Sequence, residues 1–232
     1  MLSRFLILRH GETNHNALGI IQGSSDVSRL TEKGVDQARC AGVALTKLTD
    51  LSFESTFCSP LTRARQTLDA VEESLLSPLP AAMVIDELRE IDLGSWESQD
   101  KKKLQVTAPD AYENWKSDPL AFAVDGAHPV VDLWGRAAVA WKALRNEALI
   151  AGDAEGNDDS GAALVVTHNA CGQALLCTAL GLDATHFRRH EFENCAALEL
   201  EWPAAAPTAT RWRWRLGPKA EGVTPPWVAW PS

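Results

Sequence analysis

Residues Phe5-Leu6-Ile7-Leu8 run without a break into Arg9-His10-Gly11-Glu12-Thr13, and this junction constrains the fold more than any other stretch of the chain. Four consecutive apolar residues, rather than an alternation, predict a short strand buried on both faces, as in a parallel sheet covered by helices. Such a strand delivers the residues that follow it to the carboxyl edge of the sheet, where open α/β proteins bind their ligands. Those residues suit anion chemistry. Arginine offers a planar fork of donors, histidine carries a free ring nitrogen near neutral pH, and glycine lets backbone N–H groups approach a ligand closely. A strand followed by an ordinary polar turn is the alternative.

The same rhythm recurs. Residues 55–58 and 162–167 read as further buried strands, each followed by a polar turn. Thr31 is a good N-cap for a helix over 32–48 with apolar Ala38, Val43, Ala44, Leu45 and Leu48. Pro60 suits the first turn of a second helix, and a third over 170–180 stops at Gly181. Repetition of strand, turn and helix predicts one domain over residues 1–232, a three-layer α/β/α doubly wound, mostly parallel sheet. Residues 95–150 break the pattern. They read as helical and aromatic (Trp96, Tyr112, Trp115, Trp134, Trp141), and are expected to form a lid inserted over the carboxyl edge. Residues 151–161 read as a solvated loop. Residues 196–202 and 211–216 read as a terminal hairpin, and a Pro- and Trp-rich tail without periodicity begins at Gly217. There is no internal repeat and no dinucleotide-type glycine fingerprint.

Bulk properties narrow the function. A net charge of −9 argues against a general nucleic-acid binder and requires any phosphate site to gather positive charge locally. Five scattered cysteines, Cys40, Cys58, Cys171, Cys177 and Cys195, suit a reducing compartment and suggest neither a disulfide framework nor a zinc site. No apolar run approaches the roughly 20 residues of a membrane span. The first residues read as a strand rather than a signal peptide. Whether a transit segment precedes them, and what the oligomeric state is, are not legible.

Further motifs follow in order. They are Asn16, Gln22-Gly23, Leu30-Thr31-Glu32-Lys33-Gly34, Ser59-Pro60-Leu61-Thr62-Arg63-Ala64, Leu88-Arg89-Glu90 with Gly94 and Trp96-Glu97, and Val165-Val166-Thr167-His168-Asn169. With Arg9-His10-Gly11 they resemble the histidine phosphatase superfamily, which includes cofactor-dependent phosphoglycerate mutases and fructose-2,6-bisphosphatases, over roughly residues 4–200. The resemblance implies the phosphoglycerate mutase-like fold and a phosphohistidine on His10. Arg9, Arg63 and His168 would surround the phosphoryl group. Asn16 would be a phosphate or ring-orienting donor, with Gln22, Gly23 and Asn169 as further binding groups. The family's Leu-x-Glu pattern selects Glu90 over Glu87 and Asp92 as general acid, a role that asks for an environment favouring the protonated carboxyl. No metal or organic cofactor is implied. His186 and His190 lack a third metal ligand, Lys101-Lys102-Lys103 reads as a solvated face that could attract an anion, and His15 reads as an exposed turn residue.

Phosphoglycerate mutases place Tyr-Gly after the acidic residue and Arg-Arg in the insertion. Here the sequence is Glu90-Ile91-Asp92-Leu93-Gly94, and residues 95–150 contain no Arg-Arg, which favours hydrolysis over transfer. Gln22-Gly23-Ser24-Ser25-Asp26, Leu88 to Leu93, Asp118-Pro119, Asp125-Gly126, Leu133-Trp134 and Thr167-His168-Asn169-Ala170 are similar to plant 2-carboxy-D-arabinitol-1-phosphatases. That similarity implies a small phosphorylated sugar-acid substrate and the chloroplast stroma, with the cytoplasm as the alternative. A sugar acid also needs a carboxylate clamp, for which Arg136, His128 and Lys103 are candidates. A broad sugar-phosphate phosphatase, a mutase, and a non-catalytic regulator on the same fold are the competing readings. Arg9, His10, Arg63, Glu90 and His168 together speak against the last.

Overall fold

A computed structural model describes residues 2–154, 161–203, 205–218 and 227–229. Its centre is a seven-stranded sheet in the order β3-β2-β4-β1-β5-β6-β7. The strands are β1 (Leu2–Arg9), β2 (Ser52–Cys58), β3 (Met83–Val84), β4 (Gly161–Thr167), β5 (Ala197–Pro203), β6 (Arg211–Leu216) and β7 (Val228–Ala229). β3, β2, β4 and β1 are parallel, whereas β5, β6 and β7 add to the β1 side antiparallel. The terminal hairpin expected from alternation is therefore a continuation of the central sheet.

The apolar run Phe5–Leu8 is buried because successive side chains enter two separate cores. Phe5 and Ile7 pack with Val165, Trp141 and Leu175, while Leu6 and Leu8 pack with Ala38, Leu68 and Val71 on the other face. The second face is covered by α2 (Glu32–Leu45) and α3 (Thr62–Glu72), the first by α6 (Pro129–Ala154) and α7 (Asn169–Ala179). Helices on both faces confirm the three-layer expectation.

One boundary is corrected. α6 lies on the sheet and not over its edge: Trp141 meets Phe5 edge-on, ring centroids 5.0 Å apart, and its indole N–H donates to the Leu175 carbonyl at 2.9 Å. A lid helix would have no reason to bury Leu133, Ala137, Ala140 and Leu144 completely. The part of the insertion at the carboxyl edge is shorter, built from α4 (Lys101–Thr107) and α5 (Pro109–Ser117) around a cluster of Trp96, Trp115 and Phe122. α6 also runs into the segment read as a loop, of which residues 155–160 lie outside the described residues, as does most of the tail. Trp227 of that tail lies over the guanidinium groups of Arg211 and Arg213.

Candidate active site

Parallel pairing decides which residues meet. Arg9 pairs with Thr167 in register, and Cys58 with Val166, so His10, Ser59 and His168 emerge side by side at the carboxyl edge. The loop after β1 is pressed against the start of α2. A Cβ on Gly11 would come within 2.4 Å of the Gly34 carbonyl oxygen, and one on Gly34 within 2.0 Å of the Glu12 carbonyl oxygen. Only glycine at both positions allows that approach. Thr67 of α3 fixes the loop by accepting the Gly11 N–H at 3.0 Å. Asp26 caps α3 from outside, accepting from the Thr62 N–H at 2.6 Å and hydroxyl at 2.8 Å. Leu61 offers no capping side chain of its own.

His10 is buried, and its Nδ1 lies 2.7 Å from the Gly11 carbonyl oxygen. A carbonyl only accepts, so Nδ1 carries the proton and Nε2 keeps its lone pair toward the cavity that His10 lines. Burial, and then the charges of Arg9 and Arg63, push the His10 pKa well below the ordinary histidine value. The neutral imidazole needed for attack is therefore the resting form. His168 is displaced in the same direction, by burial and then by Arg63. Its ring lies 5.1 Å from that of His10, Nε2 meets the Ser59 hydroxyl at 2.8 Å, and Nδ1 is buried with no partner.

Arg63 is completely buried and donates to the Gly23 and Ser25 carbonyls at 2.7 and 2.8 Å. Burial depresses its pKa to about 10, so it stays charged at neutral pH. Arg9 donates to the Phe192 carbonyl at 2.6 Å. In both, Nε is buried without a partner. Two cationic groups with unmet hydrogen-bonding capacity, lining one cavity with His10, are a binding place for an anion.

Glu90 follows β3, and its carboxylate sits on the first turn of α7, accepting from the N–H groups of Ala170 (3.1 Å) and Cys171 (3.0 Å) and of its neighbour Ile91 (2.9 Å). These donors fix its position beside the cavity. Asn16, Gln22, Gly23 and Asn169 all line the cavity, which encloses about 260 Å³. Asn16 also completes a capping box with Thr13 on α1 (Asn14–Leu18).

The three clamp candidates do not reach it. Arg136 spends its Nη2 on the Glu90 carbonyl at 2.8 Å, and His128 and Lys103 are exposed and stand off the cavity wall. The cationic side chains at the mouth are Lys101 and Arg188. Lys101 belongs to the run read as a solvated face, and Arg188 carried no sequence signal at all. Ser59 was legible on the same ground as His10, a polar residue directly after a buried strand. His15 is half-buried, with its ring depressed by burial and by Arg63. His186, the last residue of a short 3-10 helix (Ala184–His186), is held by Asp183, and His190 lies in the turn that follows, edge-on to Trp212.

With both rings neutral when folded, acidification from the ordinary histidine value of 6.5 protonates the unfolded chain first. Stability should thus fall as the pH drops below 6.5, by about 1.4 kcal/mol per pH unit for each such group until its folded pKa is reached. NMR of the ring C–H groups is the direct check, with neutral-imidazole shifts for both persisting well below pH 6.5.

Residues 5–215 match the family model described as Histidine phosphatase superfamily (branch 1). A probable 2-carboxy-D-arabinitol-1-phosphatase of Arabidopsis thaliana is 38% identical over 200 residues, covering 86% of this chain and 38% of the relative. The 2-carboxy-D-arabinitol-1-phosphatase of Triticum aestivum is 37% identical over 199 residues, 86% of this chain and 37% of its own. The chain thus spans less than two fifths of the length of these relatives. The native structure of a mycobacterial glucosyl-3-phosphoglycerate phosphatase superposes with a TM-score of 0.74 at 27% identity, over 92% of this chain and 97% of that one. Motifs, sheet order and cavity agree with the match: the chain belongs to the histidine phosphatase superfamily.

Proposed function

We propose that this protein hydrolyses a small sugar-acid or sugar phosphate monoester through a phosphohistidine on His10. 2-Carboxy-D-arabinitol 1-phosphate and related Rubisco-inhibitory sugar phosphates are the first substrates to test. The observation that carries the reading is the neutral His10 ring, tied by Nδ1 to the Gly11 carbonyl and presenting Nε2 to a cavity walled by Arg9 and Arg63.

The chemistry balances without a further group. The Nε2 lone pair attacks phosphorus, a P–N bond forms and the ester P–O bond breaks. The leaving alkoxide takes a proton from the Glu90 carboxyl. Water then attacks phosphorus, gives a proton to the Glu90 carboxylate, and the P–N electrons return to His10. Arg9 and Arg63 hold the phosphoryl oxygens as charge spreads over them, and His168 backs the nucleophile, its ring 5.1 Å from that of His10. Since arginine and imidazole supply the charge, activity is expected to survive exhaustive EDTA treatment; its loss, with recovery on adding Mg²⁺, would overturn a metal-independent route. With Rubisco-inhibitory substrates the place of work is the chloroplast stroma.

Steady-state kinetics on 2-carboxy-D-arabinitol 1-phosphate, sugar bisphosphates, 2- and 3-phosphoglycerate and a chromogenic ester tests the assignment. A kcat/KM for the carboxyarabinitol ester at least about 10-fold above the others, worth some 1.4 kcal/mol of discrimination, supports the narrow reading. A flat profile reduces it to a broad sugar-phosphate phosphatase.

A further inference from the structure

Arg188 is arranged at the cavity mouth in a way that hydrolysis of a simple ester does not require. Its backbone sits at φ 71°, in the left-handed region that disfavours any residue with a Cβ. The conformation is held by its N–H, which donates at 2.8 Å to Oε1 of Gln173, a buried residue of α7, the helix that begins just after His168. The guanidinium carbon then stands 4.4 Å from the Trp115 ring centroid and 5.4 Å from that of Phe187, which limits its rotation. Nη1 donates to the Lys116 carbonyl at 2.9 Å. Nε and Nη2, which form one edge of the planar fork, have no partner among the described residues.

The charge balance of the cavity points the same way. Four cations, Arg9, Arg63, Lys101 and Arg188, line the cavity together with two carboxylates, Glu90 and Glu191. Glu191 acts on both Arg9 and Arg188 and offsets part of their charge, which leaves the cavity wall with two more cations than carboxylates. Once a phosphoryl group has taken Arg9 and Arg63, two cations remain for a second anionic group on the same molecule.

We propose that Arg188 is a specificity-determining residue that takes the carboxylate of a sugar-acid phosphate on its Nε/Nη2 edge, with Lys101 adding charge nearby. This rests on the hydrolase reading above. Two coplanar donors match the two coplanar oxygens of a carboxylate, whereas a neutral hydroxymethyl group at that place offers no such pair. The role sought in Arg136, His128 and Lys103 thus falls to a loop between α7 and β5 rather than to the insertion.

The test compares 2-carboxy-D-arabinitol 1-phosphate with the same skeleton bearing CH₂OH in place of the carboxylate, on wild type, Arg188→Met and Arg188→Lys. The wild type is expected to favour the acid by about 10- to 100-fold in kcat/KM, the range of a charge-assisted pair. In Arg188→Met that ratio should collapse toward one, mainly through KM, with Arg188→Lys between. An unchanged ratio in Arg188→Met, or a wild type indifferent to the carboxylate, overturns the proposal. A parallel loss on both esters in both variants also overturns it, by showing that Arg188 only supports Trp115 and the loop. Wild type that cleaves neither ester, or activity that persists in His10→Ala, fails the hydrolase reading itself, and does so independently of the ratio.

Discussion

Alanine at His10 is expected to lower kcat/KM on every phosphate monoester by about 10⁴-fold or more, while stability changes by only about 1 kcal/mol. The two readouts separate because the ring does different work in each. For catalysis it supplies the only neutral nucleophile aimed into the cavity among the described residues, since His168 points Nε2 at Ser59 and is absent from the cavity wall. For the fold it contributes a single bond to the Gly11 carbonyl, offset by the desolvation of a polar ring. A shift of about 2–4 °C in Tm is the matching expectation for a chain of this size. Mass spectrometry under mildly alkaline conditions after a rapid mix with substrate should find one phosphoryl group on the wild type and none on the variant. Substantial turnover in His10→Ala would transfer the chemistry to direct attack by water.

The second large effect lies at the opposite end of the sheet and concerns stability. Glu199 of β5 is completely buried and accepts from Arg4 Nε at 2.7 Å, Arg213 Nε at 2.8 Å and Arg215 Nη1 at 2.7 Å. Asp50 joins the same arginines from the side nearer solvent. Glu199→Ala leaves three buried guanidinium groups without their buried carboxylate, and should cost about 3–5 kcal/mol, or about 10 °C in Tm. Asp50→Asn should cost less, because its side chain is 46% exposed. Hydrogen bonds from Arg215 lead in holding the Asp50 carboxyl well below the ordinary carboxylate range. Its contribution is thus present above the unfolded value near 3.8 and is lost as the pH falls toward the lower folded one. A Glu199→Ala protein as stable as wild type would mean that the arginines find water or other partners without penalty.

Much of the candidate site was legible because its residues sit where local rules put them, directly after buried strands or in the first turn of a helix. His10, Arg63 and His168 needed only that placement and the order of their motifs, whereas Glu90 lies beyond a 3-10 turn and was picked out by the Leu-x-Glu pattern alone. The three-layer sheet was legible for the same reason, from short runs apolar on both faces. The clamp was not. Arg136 resembled a free cation only because nothing in the sequence ties it to the Glu90 carbonyl, and Arg188 gains its place from a left-handed turn and a contact with Gln173. The extent of the insertion was misjudged at α6 because aromatic richness was read as a cover, although Trp134 and Trp141 belong to the sheet's own core. The Arg4–Glu199–Arg215 network was hidden too, since alternating charges along β5 and β6 look like a solvated face until the strands are paired.

β1 has one further consequence, for assembly. The strand that leads into His10 pairs with β4 on one side and β5 on the other, and the Arg4–Glu199 bond alone spans 195 positions of the chain. Neither neighbour exists until most of the polypeptide has been made, so closing these long loops is a late and slow event. A nascent or truncated chain therefore presents Arg9-His10-Gly11 on an unpaired strand, without His168, Glu90's seat on α7 or Phe192 to position Arg9. The cavity around His10 is therefore assembled only when the sheet is complete, and a partly built molecule carries no more than an ordinary imidazole on an unpaired strand.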